Sequence, residues 1–380
     1  MSFGATVPVG CRDLLPAKDP AIHQGGWVPA PGTGPAKARI ERYPRRRPAT
    51  LKHFGNNISG DNIGWKRSMA KLTERPFLKW AGGKAQLLDA FTRRVPRELS
   101  EGTLPVFVEP FVGGGAVYFH FNSTFRFREC HIFDINEELI LTYRVVKNDV
   151  CALIDYLAGI SDDYLTKDDA GRKDFYYAMR DTFNRAKGTV DFGQYGKSWI
   201  ERAAQLIFLN RTCFNGLYRV NSQGGFNVPF GRCRNPTILN EDLLRADAKL
   251  LQNTTIHHGD FAQSEQYVSE ETFVYLDPPY RPLNRTSAFT QYAKEGFADE
   301  EQRRLAAYYA RCDARGTRLM LSNSDPKNVD PCDEFFDDLY AGYRIDRVPA
   351  RRMINCNGDG RGEIREIIVT NYDPLAPGER

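Results

Sequence analysis

Six histidines and eight cysteines in 380 residues are too few and too scattered to announce a metal centre. Cys11, Cys130, Cys151, Cys213, Cys233, Cys312, Cys332 and Cys356 contain no C-x-x-C pair and no histidine at ligand spacing beside them. They read as free thiols of a reducing cytoplasm, and no metal is expected. No stretch approaches about 18 consecutive apolar residues, and no apolar core of a secretory signal opens the chain, so neither a membrane span nor export is expected. G-x-G-x-x-G is missing too, which removes the fingerprint of nicotinamide binding. Nor does one sign of charge dominate: 52 Lys and Arg against 48 Asp and Glu leave a net charge of +4, which does not by itself point to nucleic acid. What is present is 41% hydrophobic residues, enough for one large core or two smaller ones.

Residues 1–70 differ from the rest. They are rich in Pro, Gly and Arg, with the run Arg45-Arg46-Arg47, and hold no period of 3.6 or 2 for long. A basic, disordered extension is expected there, dispensable or even preceding the true start at Met69, although such an arm could add phosphate contacts.

The strongest local signal is Asp277-Pro278-Pro279-Tyr280, directly after the apolar run Phe273-Val274-Tyr275-Leu276. Proline cannot continue a ladder and biases the residue before it away from helix, so a buried strand must end here in a stiff loop. That loop would present a carboxylate, the Pro278 carbonyl and an aromatic face to one small space. The exocyclic amino group of a nucleobase needs two acceptors and a stacking surface. The bland reading of the tetrapeptide is a turn with a capping Asp.

A second strand, Val106-Phe107-Val108, runs into Glu109-Pro110-Phe111-Val112-Gly113-Gly114-Gly115, and a helix is expected from Ala116. Three glycines let backbone approach a bulky ligand, although glycine turns also serve packing. The following run, Cys130 to Phe133, ends at Asp134-Ile135-Asn136, about 20 residues past the loop, where a carboxylate would meet ribose hydroxyls. Upstream, Lys79-Trp80-Ala81-Gly82-Gly83-Lys84 offers an apolar wall, a bend and a cation suited to a carboxylate-bearing cofactor; a buried Trp and a surface Lys are the alternative.

From about 149 to 252 strand-helix alternation stops. Helical spacing returns in Asp174 to Ala186 and Trp199 to Asn210, followed by Arg211-Thr212-Cys213-Phe214-Asn215-Gly216-Leu217-Tyr218-Arg219 and Phe226-Asn227-Val228-Pro229-Phe230. Arg, Asn and aromatic residues interleaved on a hairpin-like segment suit base-edge reading and wedge insertion; a solvated hairpin with core Phe residues is the competing account. Further on, Asp299 to Ala314 reads as a helix, Arg318 to Asn323 and Ile364 to Val369 as strands, and Arg347 to Arg352 as a basic cluster or charged sheet edge.

Taken in order, these motifs resemble the Dam-type DNA adenine-N6 methyltransferases from about Arg75 to Tyr372. The resemblance implies an α/β fold: a Rossmann-like S-adenosylmethionine-dependent domain with a mixed seven-stranded sheet, formed by 71–148 and 253–372. A mainly helical target-recognition domain with a β-hairpin, 149–252, would be inserted into it. It further implies double-stranded DNA as partner, a monomer, and a bacterial or phage-encoded protein. Carried over residue by residue, Asp277, Pro278 and Tyr280 resemble the catalytic set. Trp80, Lys84, Glu109, Phe111, Gly113, Asp134, Asp260 and Phe261, with Asp277, resemble cofactor contacts. Lys79, Asn215, Leu217, Arg219 and Pro229 match positions that contact the bases of GATC, Phe214 an aromatic wedge, and Arg211, Arg351 and Arg352 further DNA-facing cations. Cys233 departs from the family's aromatic residue. The rival readings are an amino-methyltransferase on another DNA site or RNA, a dehydrogenase on the same half-fold, and a non-catalytic DNA-binding module.

Overall fold

A computed structural model describes residues 76–282, 297–351 and 363–374. The expectations for residues 1–70, Met69 and Arg352 fall outside them. Short runs of Val, Phe, Tyr, Leu and Ile, too continuous to alternate with polar residues, form strands covered on both faces. The strands are β1 (Val106–Glu109), β2 (Glu129–Asp134), β3 (Thr254–His258), β4 (Thr272–Leu276), β5 (Arg318–Ser324), β6 (Arg344–Arg351) and β7 (Glu363–Thr370). They make one sheet in the order β3-β2-β1-β4-β5-β7-β6. The first five run parallel, and β7 lies antiparallel to both β5 and β6. This is the expected α/β fold with a mixed seven-stranded sheet.

The pleat sorts side chains into two cores. On β4, Phe273 and Tyr275 pack with Phe107 and Phe121 on one face, whereas Val274 and Leu276 pack with Leu305 and Tyr308 on the other. Helices α1 (Leu88–Thr92) and α2 (Arg97–Ser100) precede β1, and α3 (Ala116–Phe125) joins β1 to β2. Between β2 and β3 come α4 (Glu137–Leu165), α5 (Asp169–Ala186), α6 (Lys197–Thr212) and α7 (Glu241–Leu250); α8 (Asp299–Asp313) and α9 (Phe335–Leu339) follow β4 and β5. No described helix is long and apolar enough to cross a membrane.

Asn136 caps α4, accepting from the Leu139 amide at 3.1 Å, and Glu137 and Glu138 favour the same end of the helix dipole. The helix bends at Asp149, whose backbone (φ −135°, ψ 38°) is not helical. Before the bend α4 lies along the sheet, and beyond it the chain turns into α5 and α6. Their apolar faces join the same core as one face of the sheet. A fully buried ion pair joins α6 to α4: Arg202 Nε on α6 donates to Glu138 Oε2 at 2.7 Å, with the Arg202 guanidinium over the Phe183 ring. After α6 the chain makes a hairpin-like excursion with antiparallel bridges Cys213–Phe230 and Val220–Phe226.

Candidate active site

Parallel strands direct their carboxyl ends to one edge, and the strand order reverses direction between β1 and β4, where α/β sheets hold ligands. Val108 pairs with Val274, so Glu109 at the end of β1 and Asp277 just past β4 face each other across this point. A cavity of about 570 Å³ opens there, within the usual size of a small-molecule site. Its walls bring together Trp80, Lys84, Glu109, Phe111, Gly113, Asp134, Asp260, Phe261, Asp277, Pro278 and Tyr280. These residues are spread over 200 positions of sequence, and they are the expected catalytic and cofactor set.

The loop after β4 is stiffened as its prolines require, and Gln302 Nε2 of α8 donates to the Pro279 carbonyl at 3.2 Å. Asp277 is the centre of a charged cluster. Lys84 Nζ donates to Asp277 Oδ1 at 2.6 Å and to the Tyr280 hydroxyl at 2.9 Å. Tyr280 donates in turn to Glu366 Oε1 on β7 at 2.5 Å, while its ring stays 40% exposed to the cavity. Burial pushes the Asp277 carboxyl up and Lys84 pulls it back, leaving it at about 6. Burial opposes the charge of Lys84, but Asp277, Glu366 and Tyr280 outweigh it and hold the amine protonated. Lys84 is therefore not the surface lysine of the alternative reading: it is 3% exposed and paired with the loop carboxylate.

At the other wall Glu109 is 2% exposed, and its Oε2 has no hydrogen-bond partner among the described residues. Burial first, and then the charge of Asp277, lift its carboxyl well above the carboxylate range. The glycine loop adopts positive φ at Gly113 (47°) and Gly115 (77°). A Cβ on Gly113 would lie 2.9 Å from Trp80 Cδ1, so the indole lies flat against bare backbone. That indole also stacks on Tyr218 at 5.2 Å and 19°. Asp134 accepts from the Gly113 amide at 3.1 Å and the Asn136 amide at 2.8 Å. Burial raises its carboxyl, and these two amides work against the rise. At the far end Asp260 caps the turn after β3 by accepting from the Ala262 amide, and Arg304 grips its carboxylate at 2.8 and 2.7 Å while lying over Phe261. Arg304 lowers the Asp260 carboxyl.

The hairpin gathers a second group. Asn210, 1% exposed, donates to the carbonyls of Lys79 and Gly216 and accepts from the Lys79 amide, tying residue 79 to the 213–217 turn. Lys79, Phe214 (51% exposed), Asn215 and Pro229 are exposed there, with Leu217 and Arg219 half-buried. Asn215 holds a left-handed backbone (φ 56°), and the Phe214 amide donates to the Pro229 carbonyl at 2.9 Å. Arg219 Nε donates to Asn227 Oδ1 at 2.7 Å. Arg211, expected to face DNA, is half-buried at the end of α6, and its Nη2 donates to the Phe77 carbonyl at 2.6 Å. Arg351 closes β6, away from this group in the chain. Sequence reasoning missed Asn210, Tyr218, Arg304 and Glu366. The chain also has a Pro-Cys pair, Pro331-Cys332, the dipeptide used for nucleophilic attack on cytosine C5; Cys332 is an exposed free thiol and does not line the cavity.

A family model described as D12 class N6 adenine-specific DNA methyltransferase matches residues 80–354. Over 299 residues the chain is 51% identical to the type II methyltransferase M.MjaIII of Methanocaldococcus jannaschii, covering 78% of this chain and 99% of that one. It is 38% identical to the type II methyltransferase M1.LlaDCHI of Lactococcus lactis subsp. cremoris, covering 80% and 97%. To the DNA adenine methylase of Haemophilus influenzae it is 35% identical, covering 79% and 94%. With its sheet, its cavity at the carboxyl edge and these matches, the chain belongs to the D12 class of N6 adenine-specific DNA methyltransferases.

Proposed function

We propose that the chain methylates N6 of adenine within GATC in duplex DNA, acting on an adenine turned out of the helix, with S-adenosylmethionine as donor. The observation that carries this reading is the meeting of Asp277, Pro278 and Tyr280 with Trp80, Glu109, Gly113 and Asp134 in one cavity. The walls suit the donor. Glu109 offers a buried, unpartnered carboxyl oxygen for an α-ammonium group, the glycine turn offers bare backbone beside Trp80, and Asp134 offers acceptors for ribose hydroxyls. When bound, S-adenosylmethionine supplies an electrophilic methyl on a cationic sulfur.

The protein's own part follows from the chemistry of adenine. The N6 lone pair is delocalised into the ring, so it is a poor nucleophile until it is localised. Asp277 and the Pro278 carbonyl accept the two N6 hydrogens and favour the pyramidal, developing-cation geometry over the planar ground state. Tyr280, its hydroxyl anchored and its face open, stacks on the displaced base. Asp277, at about 6, is mostly ionised at neutral pH and can take up the proton that the methylated amine releases. On the hairpin, Lys79, Asn215, Leu217, Arg219 and Pro229 read base edges, and Phe214 fills the gap left in the stack.

The test is transfer of label from S-adenosylmethionine to a duplex with one GATC and to a scrambled duplex, with the wild-type chain and Asp277→Ala. Label on the GATC duplex alone, recovered as N6-methyladenine and lost in the variant, is expected. Equal labelling of both duplexes would refute the GATC reading, and an active Asp277→Ala would refute the catalytic one.

A further inference from the structure

The pair formed by Lys84 and Asp277 poses an electrostatic problem. A catalytic carboxylate 2.6 Å from a buried ammonium is a neutral unit, ill suited by itself to a cationic donor and a base that becomes cationic. Glu366 resolves it. This residue sits in the middle of β7, 5% exposed, between Arg365 and Ile367, and its side chain reaches Tyr280 of the loop after β4. Its Oε1 accepts from the Tyr280 hydroxyl, and its Oε2, with no hydrogen-bond partner among the described residues, lies 3.7 Å from Lys84 Nζ. One positive and two negative side chains thus form one cluster around the Tyr280 hydroxyl, with Glu366 behind the cavity wall.

We propose that Glu366 is a positioning residue for methyl transfer: it draws on Lys84 together with Asp277, anchors the Tyr280 hydroxyl, and leaves the site with one net negative charge for a sulfonium. The inference rests on the proposed function and extends it to a residue that does not touch the base. Glu109, the other acid facing Asp277, is matched in the proposed function to the donor's α-ammonium group, so its charge is offset there. The consequence is charge discrimination between donor and spent donor. S-adenosylmethionine carries a positive sulfur and S-adenosylhomocysteine a neutral one, and the two differ otherwise only by the methyl group.

The experiment is equilibrium binding of each nucleoside to the full chain by titration calorimetry at pH 8. In the wild type both bind, with S-adenosylmethionine favoured. Glu366→Gln, which keeps shape and loses charge, is expected to lower the ratio of the two affinities about tenfold, the scale of one unit charge in a partly buried site. S-adenosylhomocysteine affinity should stay within about twofold of wild type on the same reasoning, since no charge on its sulfur is lost a partner. Glu366→Asp should restore the ratio. A second variant, Lys84→Met with Glu366→Gln, leaves Asp277 as the net charge and should bring the ratio back toward wild type. A purely structural Glu366 would weaken both nucleosides together, and an unchanged ratio in Glu366→Gln would overturn the inference alone. Failure of the wild type to bind either nucleoside would overturn the methyl-transfer reading and this inference with it.

Discussion

Gly113→Ala should damage the site twice over, and the two parts can be separated. The backbone there is left-handed, which costs an L-residue about 1 kcal/mol. The new Cβ would also stand 2.9 Å from Trp80 Cδ1 and 3.4 Å from Nε1, so the indole must move by several tenths of an ångström. It cannot do so freely, because Tyr218 is stacked on it. Overpacking of this kind costs about 1–3 kcal/mol. Gly102 is the internal control: its φ is 75°, yet a Cβ there would meet nothing within 4 Å, so Gly102→Ala should cost about 1 kcal/mol from backbone strain alone. Urea unfolding of both variants should show Gly113→Ala less stable by about 1–3 kcal/mol than Gly102→Ala. Cofactor binding, followed by calorimetry, should weaken about tenfold in the first and not at all in the second, since one reshapes a cavity wall and the other does not. In a Trp80→Ala background the extra loss should shrink, because the clashing ring atoms are gone. Equal stability losses with unchanged cofactor affinity would refute the claim that the glycine makes room for the indole.

Two further outcomes are expected. Asp247 on α7 is fully buried, and both its carboxylate oxygens lack partners among the described residues; burial lifts it to about 8 although Arg211 pulls the other way. Between the ordinary aspartate range and about pH 8 the folded chain keeps a proton that the unfolded chain has released, so stability falls as pH rises through that window. Asp247→Asn should flatten this slope, raising the urea midpoint at pH 8 more than at pH 5; equal effects at both would contradict the assignment. Phe214→Ala removes an exposed ring and should leave stability within about 0.5 kcal/mol. Steady-state labelling of the GATC duplex should nonetheless slow, and an unaltered rate would remove Phe214 from the proposed DNA contact.

What sequence alone reveals here depends on how local each feature is. The loop after β4 and the glycine turn after β1 are legible because prolines and glycines act on their own backbone, and the strands before them are continuous apolar runs. The cavity that joins them follows from the parallel order. Partnerships across long separations are not legible. Nothing in Gly83-Lys84-Ala85 says that the amine is buried against a carboxylate 193 positions away, and Arg211 looks as fit for phosphate as for the Phe77 carbonyl it holds. Glu366 did leave a trace, as an acid interrupting the apolar run of a strand between Arg365 and Ile367-Ile368-Val369, the position where a charge needs a reason. Asn210 and Tyr218 left none beyond lying beside the motif residues they support.

The place of β7 has a consequence for the order in which the molecule becomes competent during synthesis. β6 is made first but hydrogen-bonds only to β7, while β7 pairs with both β5 and β6. A nascent chain that has reached β6 therefore has a strand with nowhere to dock, and β5 remains an open edge until β7 leaves the ribosome and fills the gap. The last strand carries Glu366 into the site at the same moment. The described residues that line the cavity all precede it in the chain, so Glu366, which holds the Tyr280 hydroxyl, is the last member of its cluster to arrive.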